Sequence, residues 1–228
     1  MAALHTDRSY NEELARVRES LLSMAGRVEA MITDAMTALD TRDVELAQRA
    51  INADHSVNRA EVETDELCLV ILAKRQPMAS DLRFITLSLK MVTDLERIGD
   101  LAVNICERAI DLTAFPDAKL PEELRQMAAH VQGMVTDAID SFVDRDASKA
   151  ERVMARDDVV DKLYTKVFRE LLSDMMASSA HVEQDVHIQS VAKWLERMGD
   201  HAVNLAELVI FLIRGRDIRH LGSMPVDA

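Results

Sequence analysis

The sequence contains two copies of one pattern, and this internal repeat restricts the possible folds more than any other feature. Residues 30–54 match residues 133–157 at a constant offset of 103, and residues 95–105 match residues 195–205 at an offset of 100. The change of offset requires a three-residue deletion in the second copy, and the loop near 175–183 is its natural place. We therefore expect two similar structural units in tandem.

The repeat is closest over ten residues, where 95–104 and 195–204 are identical at eight positions. Both segments contain the sequence Glu-Arg-x-Gly-Asp. The earlier pair of segments shares nine residues, which are Met31, Thr33, Asp34, Ala35, Arg42, Asp43, Ala47, Arg49 and Asp54, recurring as Met134, Thr136, Asp137, Ala138, Arg145, Asp146, Ala150, Arg152 and Asp157. Charged residues and a glycine that recur at fixed positions favour a functional site over an ordinary solvated helix face.

The composition favours helices over strands. The chain has 228 residues but only 6 Gly and 4 Pro, too few for the turns of a sandwich, a barrel or a multi-strand sheet. Apolar residues recur at helical spacing from Leu14 to Ala35. Similar stretches follow at about 43–75, 80–113, 122–143, 147–176 and 184–214.

These six stretches divide into three on each side of a linker at residues 114–121, which contains Pro116 and Pro121. Three amphipathic helices can close a small bundle around one core. The sequence thus predicts an all-α protein of two tandem three-helix bundles, the first over residues 8–115 and the second over residues 120–216.

Charge and cysteine content limit the partners and the compartment. With 40 acidic and 27 basic residues the formal charge is −13, which repels phosphate backbones, so no nucleic-acid partner is expected. Cys68 and Cys106 lie in apolar segments without CxxC spacing, as is typical of reduced core cysteines. No secretory leader is evident, and the apolar runs are shorter than the roughly 18 residues of a membrane span. These features predict a cytoplasmic protein.

Oxygen-bearing side chains form stripes on two predicted helices of each unit. Glu96, Asp100 and Asn104 are spaced i, i+4 and i+8, and Asp54 and Asn58 are spaced i, i+4 on the preceding helix. The second copy repeats both stripes with Glu196, Asp200, Asn204, Asp157 and Asp161. If the two stripes of one unit face each other, three or four carboxylates converge on one place.

Such stripes need a compensating cation, because like charges four residues apart destabilise a helix. Arg97 and Arg197 lie beside the stripes and could serve as ion-pair partners. A metal ion is the alternative, and clustered carboxylates suit Fe, Mn, Mg or Ca rather than a structural zinc site of Cys and His. The duplication favours the metal.

Two further residue types bear on this site. Gly99 and Gly199 lie in the middle of predicted helices, where glycine costs about 1 kcal/mol relative to alanine. They indicate places where helices approach closely. His55 and His201 adjoin stripe acids, but neighbouring helical residues point about 100° apart, so we expect these histidines at the surface or around the clusters rather than as ligands.

Motifs outside the repeat add to the pattern. Lys74-Arg75-Gln76-Pro77 is followed by Ser80-Asp81-Leu82-Arg83, and Gly215-Arg216-Asp217-Ile218-Arg219-His220 follows the last predicted helix. With the paired Glu-Arg-x-Gly-Asp helices, the sequence resembles the PhoU family of bacterial phosphate-transport regulatory proteins over about residues 8–222. The resemblance implies two tandem three-helix bundles and multinuclear metal sites built from Glu/Asp-x-x-x-Asp pairs.

Carried over to this chain, the resemblance implies eight metal-site residues. They are Asp54, Asn58, Glu96 and Asp100 in the first half, and Asp157, Asp161, Glu196 and Asp200 in the second. Asn58 departs from the fully acidic pattern, so weaker metal binding is expected in the first half. Asn104 and Asn204 are candidate additional ligands through their carbonyl oxygens. The expected ions are Fe, Mn, Mg or Zn.

The resemblance also implies a function and partners. It implies a cytoplasmic, dimeric negative regulator that links the ATPase subunit of the high-affinity phosphate ABC transporter to a sensor histidine kinase. Such a protein holds the phosphate-starvation response off when phosphate is plentiful.

Two other interpretations remain open. A ferritin-like di-iron enzyme would need Glu-x-x-His pairs in a four-helix bundle, and no Glu stands three residues before any of the seven histidines. The sequence also shows no phosphate loop and no nucleophile signature, so no enzymatic activity is expected. A purely structural scaffold, whose acidic stripes are satisfied by arginine and water, differs from the leading interpretation only in whether metal binds.

Overall fold

The computed structural model of the chain describes residues 8–215, which form six long helices. They are α1 (Arg8–Thr41), α2 (Val44–Arg75), α3 (Ala79–Asp111), α4 (Glu122–Asp144), α5 (Ala147–Ala177) and α6 (Val182–Arg214), with one 3₁₀ turn at Leu112–Ala114. No strand occurs within these residues. The all-α prediction is confirmed. From α2 onward, the bounds of the helices lie within two residues of those expected, and the 3₁₀ turn lies at the end of the third predicted stretch.

The helices pack as two three-helix bundles that share a continuous core. Helices α1, α2 and α3 contact one another, as do α4, α5 and α6. The bundles meet mainly through α3 and α6, with a smaller contact between α1 and α4, and the buried apolar side chains form one cluster. The tandem arrangement expected from the repeat is therefore confirmed, and α2 and α5 lie away from the junction.

The repeated Arg-Asp pairs form the turn between the first two helices of each bundle. Asp43 accepts a hydrogen bond from the backbone N–H of Leu46 at 2.9 Å, and Asp146 accepts from that of Lys149 at 3.2 Å. These carboxylates cap α2 and α5 by satisfying N–H groups that have no partner in the helix. The preceding arginines adopt left-handed backbone angles, with φ of 59° and 53°. The helix cap explains why the aspartate recurs.

The two cysteines are buried core residues, as the sequence predicts. Cys68 and Cys106 form no disulfide, and burial raises the pKa of both thiols to about 12.

None of the helices within residues 8–215 is long and apolar enough to cross a bilayer. The predicted second unit extends to residue 216, and of the C-terminal motif only Gly215 belongs to the described residues.

Candidate functional site

The repeated glycines lie where the second helix of each bundle presses against the third. A Cβ atom on Gly99 would lie 3.4 Å from Asp54 Oδ1 and 3.5 Å from Val57 Cγ1. A Cβ atom on Gly199 would lie 3.6 Å from Asp157 Oδ1. Both glycines therefore mark close helix contacts, as predicted, and both contacts include a carboxylate proposed from the sequence.

The structure brings the predicted residues into two acidic clusters, one between α2 and α3 and one between α5 and α6. Most of their side chains are partly buried, whereas Asp161 and Asp200 are exposed. Each cluster lies beside its glycine, so each has solvent on one side and a tightly packed helix pair on the other.

In the first cluster, several polar atoms are buried without a hydrogen bond. Asn58 donates its amide N–H to Asp54 Oδ2 at 2.7 Å. Asp54 Oδ1, Asn58 Oδ1 and Glu96 Oε2 are buried and accept no hydrogen bond from the described part of the chain. Arg97 lies beside the cluster, with its Nε 3.4 Å from Glu96 Oε2 and its Nη1 3.5 Å from Asp100 Oδ2. Unsatisfied buried oxygens are costly and call for a further donor or a cation.

Burial and mutual repulsion raise the pKa of the carboxyls in this cluster. The pKa of Asp54 rises chiefly because of burial, against the hydrogen bond from Asn58, and the charge of Asp100 adds to the rise. The pKa of Glu96 rises through burial and then through Asp100, with Arg97 opposing. A positive ion in the cluster would relieve both effects.

Glu61 belongs to the first cluster but is not predicted from the sequence. Burial raises the pKa of this carboxyl, the nearby Asp65 and Asp100 raise it further, and Arg97 lowers it. Glu61 follows Asp54 by seven residues, which places both on one face of α2. That spacing is the signal that could have found it.

Burial and then neighbouring carboxylates shift the titration of one residue in the second cluster toward neutrality. The pKa of Asp157 rises from 3.8 to about 6, first because of burial. The charges that raise it further are those of Asp161, Asp200, Glu196 and Asp158. Four carboxylates predicted from the repeat therefore interact at one place.

A lysine distinguishes the second cluster from the first. Lys193 Nζ donates to both oxygens of Glu196, at 2.8 and 2.7 Å, and lies 5.4 Å from the centre of the Tyr164 ring. The matching residues in the first repeat are Thr93 and Glu61. The first cluster thus has an additional carboxylate and the second a built-in cation. We predicted weaker metal binding at the first site only because Asn58 replaces an acidic residue. Since Glu61 supplies another carboxylate there, the difference in charge no longer supports that prediction.

The clusters contain oxygen atoms of the kind that bind cations, but these atoms are not arranged around a common point. Within residues 8–215, no group of three or more His, Cys, Asp or Glu side chains is arranged to hold a metal ion. The buried oxygens without hydrogen bonds in the first cluster nevertheless fit an oxygen-preferring cation. Side-chain rotation toward a common point would be required on binding.

His201 and Asn204 contact the other bundle rather than the acidic cluster. His201 Nδ1 lies 2.8 Å from Asp94 Oδ1, and Asn204 donates its amide to the same oxygen at 3.3 Å. We expected His201 at the surface or around the cluster, and its Nδ1 lies against α3 of the other bundle. Asn204, a candidate carbonyl ligand in the sequence, instead uses its amide N–H to connect α6 to α3.

The glycine contacts yield a prediction for stability. We expect Gly99→Leu to destabilise the protein by about 1–3 kcal/mol, because the larger side chain must displace α2. The control is Gly26→Leu in the middle of α1, where a Cβ would meet nothing within 4 Å. That change should stabilise by about 0.5–1 kcal/mol, since leucine is the better helix former. Urea denaturation measures both, and equal effects would contradict the close contact.

Fold and site together define a class: all-helical proteins with two three-helix repeats, each of which has an acidic cluster beside a mid-helix glycine. The PhoU domain model matches residues 21–109 and 124–209, which lie in the two bundles. The chain belongs to the PhoU family.

Similarity to individual members extends over nearly the whole chain. The chain is 36% identical over 223 residues to the phosphate-specific transport system accessory protein PhoU of Escherichia coli, covering 98% of this chain and 92% of the relative. It resembles the crystal structure of PhoU from Pseudomonas aeruginosa with a TM-score of 0.86 and 43% identity, covering 91% of this chain and all of the other. The phosphate transport system regulatory protein PhoU from Streptococcus pneumoniae gives a TM-score of 0.85 at 27% identity, with 92% and 99% covered.

These relatives bear on the enzyme alternative. They are named accessory or regulatory proteins. In addition, each acidic cluster lies between two helices of a three-helix bundle, whereas a ferritin-like di-iron centre lies inside four helices.

Proposed function

We propose that the protein is a cytoplasmic accessory protein of phosphate transport and a negative regulator of phosphate uptake and of the phosphate-starvation response. It acts as an adaptor between the ATPase subunit of the high-affinity phosphate ABC transporter and a sensor histidine kinase. The observation that carries the proposal is the family match across both bundles, with relatives named as accessory proteins of phosphate-specific transport.

Deletion of the gene tests the regulatory proposal. Phosphate-scavenging genes should rise in phosphate-rich medium, because the signal that holds them off is lost. The control is a gene copy with Glu170→Gln, an exposed substitution on α5. It should restore repression to the same level as the unaltered gene. Unchanged expression after deletion would overturn the proposal.

The adaptor proposal requires physical partners and, we propose, a homodimer. A pull-down with the transporter ATPase and with kinase fragments should recover both, and light scattering should give twice the chain mass of 25.5 kDa. Recovery of neither partner would refute the adaptor role, and a monomer at all concentrations would refute the dimer.

We further propose that both acidic clusters bind metal ions with oxygen ligands, such as Fe, Mn, Mg or Zn. The proposed ligands are Asp54, Asn58, Glu96, Asp100, Asp157, Asp161, Glu196 and Asp200. When bound, the ion supplies positive charge that offsets the carboxylate repulsion and holds neighbouring helices together. The buried oxygens without hydrogen bonds and the raised pKa of Asp157 support this role.

Elemental analysis of protein purified without chelator tests the metal proposal. Bound metal should be detected, and adding it back after chelation should raise the melting temperature. Absence of Fe, Mn, Zn, Mg and Ca, with no thermal shift on adding any of them, would leave the scaffold interpretation in its place.

A further inference from the structure

Three arginines that belong to neither acidic cluster line one pocket. The pocket, of about 560 Å³, lies where parts of α1 and α3 from the first bundle meet the ends of α4 and α6 from the second. Among the described residues, its charged lining consists of Arg18, Arg83, Arg145 and Asp81. In a chain with a net charge of −13, a concentration of positive charge here requires an explanation.

Arg83 lines this pocket and has a buried donor that no described residue binds. Its Nε is buried and forms no hydrogen bond within the described residues. Its guanidinium carbon lies 3.7 Å from where a Cβ on Gly215 would be, and Gly215 ends α6 with φ of 68°. The glycine suits the left-handed helix end and leaves room beside the arginine. The motifs at residues 80–83 and at Gly215, distant in sequence, therefore meet at the pocket.

Arg18 is held in place by aromatic rings rather than by a carboxylate. Its guanidinium carbon lies 5.7 Å from the centre of the Phe84 ring and 5.1 Å from that of Phe142, within the range of cation–π contacts. Burial and then the charge of Arg145 lower the pKa of Arg18. The side chain is thus positioned in advance while its charge remains uncompensated.

The internal repeat supplies a comparison for Arg145. Its counterpart Arg42 adopts the same left-handed turn and donates hydrogen bonds to the backbone carbonyls of Leu112 and Ala118, the second at 2.8 Å. Arg42 therefore anchors the connection between the bundles. Within residues 8–215, Arg145 makes no such hydrogen bond and no ion pair, and it lines the pocket instead.

The pocket has little compensating negative charge. None of its three arginines forms an ion pair within the part of the chain that the structure describes, and Asp81 already accepts a hydrogen bond from the hydroxyl of Tyr10 at 3.0 Å. Ser80 adds a hydroxyl to the lining, which donates to Asp81 Oδ1 at 3.4 Å. It lies in the first turn of α3, whose N-cap Met78 provides no side-chain hydrogen bond. Asp81 in the same turn already offsets the positive helix end, so it is the three arginines that favour an anion.

We propose that this arginine pocket binds a phosphate dianion, either free inorganic phosphate or a phosphoryl group on an organic molecule. Guanidinium groups present planar paired donors that match phosphate oxygens, and three of them outweigh the single engaged carboxylate. The size of the pocket admits a small tetrahedral anion. The inference goes beyond the proposed regulatory function and does not depend on the metal or on the partners.

Calorimetric titration of inorganic phosphate into the full chain, with a chelator present, tests the proposal. The chelator removes any phosphate bridged by metal at the acidic clusters. We expect saturable binding that is about ten- to hundredfold weaker in Arg83→Gln, because a hydrogen bond to a charged group is lost. Arg169→Gln on the exposed face of α5 removes the same charge and should bind as the unaltered chain does. Arg145→Gln, at an exposed position, supplies a second variant if Arg83→Gln does not fold.

Two further arms identify the source and the class of the anion. Phosphoserine in place of phosphate should also bind if a phosphoryl group on an organic molecule can enter, and binding of phosphoserine alone would assign the pocket to such molecules. Acetate should not bind, and binding of acetate equal to that of phosphate would overturn the assignment. The proposal would also be overturned by no binding at millimolar phosphate and phosphoserine, or by equal weakening in the Arg83, Arg145 and Arg169 variants.

Discussion

Asp157→Asn is expected to stabilise the metal-free protein at pH 8 and to weaken metal binding at the second cluster. The unaltered side chain has its pKa raised to about 6 by burial and by neighbouring carboxylates. At pH 8 it is ionised in an unfavourable place, and the amide removes that charge with little change of shape. We expect a gain of about 1 kcal/mol, since partial exposure screens much of the repulsion.

The pH dependence of this effect has a definite sign. Below pH 3.8, Asp157 is protonated in both the folded and the unfolded chain, so it causes no pH dependence. Between pH 3.8 and about 6 the folded state retains the proton that the unfolded state releases, so stability falls as pH rises. Above about pH 6 the full loss is present. The stability of Asp157→Asn should therefore decline less than that of the unaltered protein over this window.

Chemical denaturation in chelator from pH 4 to pH 8 measures the difference in stability between Asp157→Asn and the unaltered protein. Metal titration measures the weaker binding at the second cluster. Metal at about 100 times its Kd should stabilise the unaltered protein by about 2.7 kcal/mol per site. In Asp157→Asn, the stabilisation that comes from metal at the second cluster should be lost. Glu170→Gln, an exposed change of the same charge on the same helix, should alter neither quantity. Destabilisation by Asp157→Asn at pH 8, or unchanged metal content, would contradict the argument.

Lys193→Gln should have the opposite pair of effects. Lys193 donates to Glu196, and its charge opposes the rise that burial and Glu196 cause in the pKa of Asp200, so it offsets carboxylate repulsion in the metal-free protein. Its removal should destabilise that state and leave the cluster more negative. A divalent cation should then bind about ten- to hundredfold more tightly, because a nearby positive charge is gone and Glu196 is released as a ligand.

Metal titration followed by calorimetry or melting temperature distinguishes this outcome. Lys119→Gln removes an exposed lysine from the connection between the bundles and should leave metal affinity unchanged. If Lys193→Gln weakens metal binding, the lysine does not compete with the cation, and the proposed ligand set of the second cluster is wrong.

The candidate sites were predictable to the extent that the chain repeats. Asp54 and Asp157 recur at the same position, and their contacts with Gly99 and Gly199 follow the same repeat. Glu61 was missed because its counterpart in the second copy is Tyr164. A comparison of the two copies selects only residues that recur, and Glu61 does not. Local spacing along α2 was a sufficient signal, but it was weaker than the duplication.

The sequence by itself determined the number of helices, their grouping into two bundles and the paired acidic stripes. Each of these follows from local periodicity or from repetition, which are properties of order along the chain. Only the tertiary structure decided how α3 packs against α6 and that Arg18, Arg83 and Arg145 meet in one pocket. These features depend on residues from different bundles, and distances in space between such residues are not encoded in helical spacing.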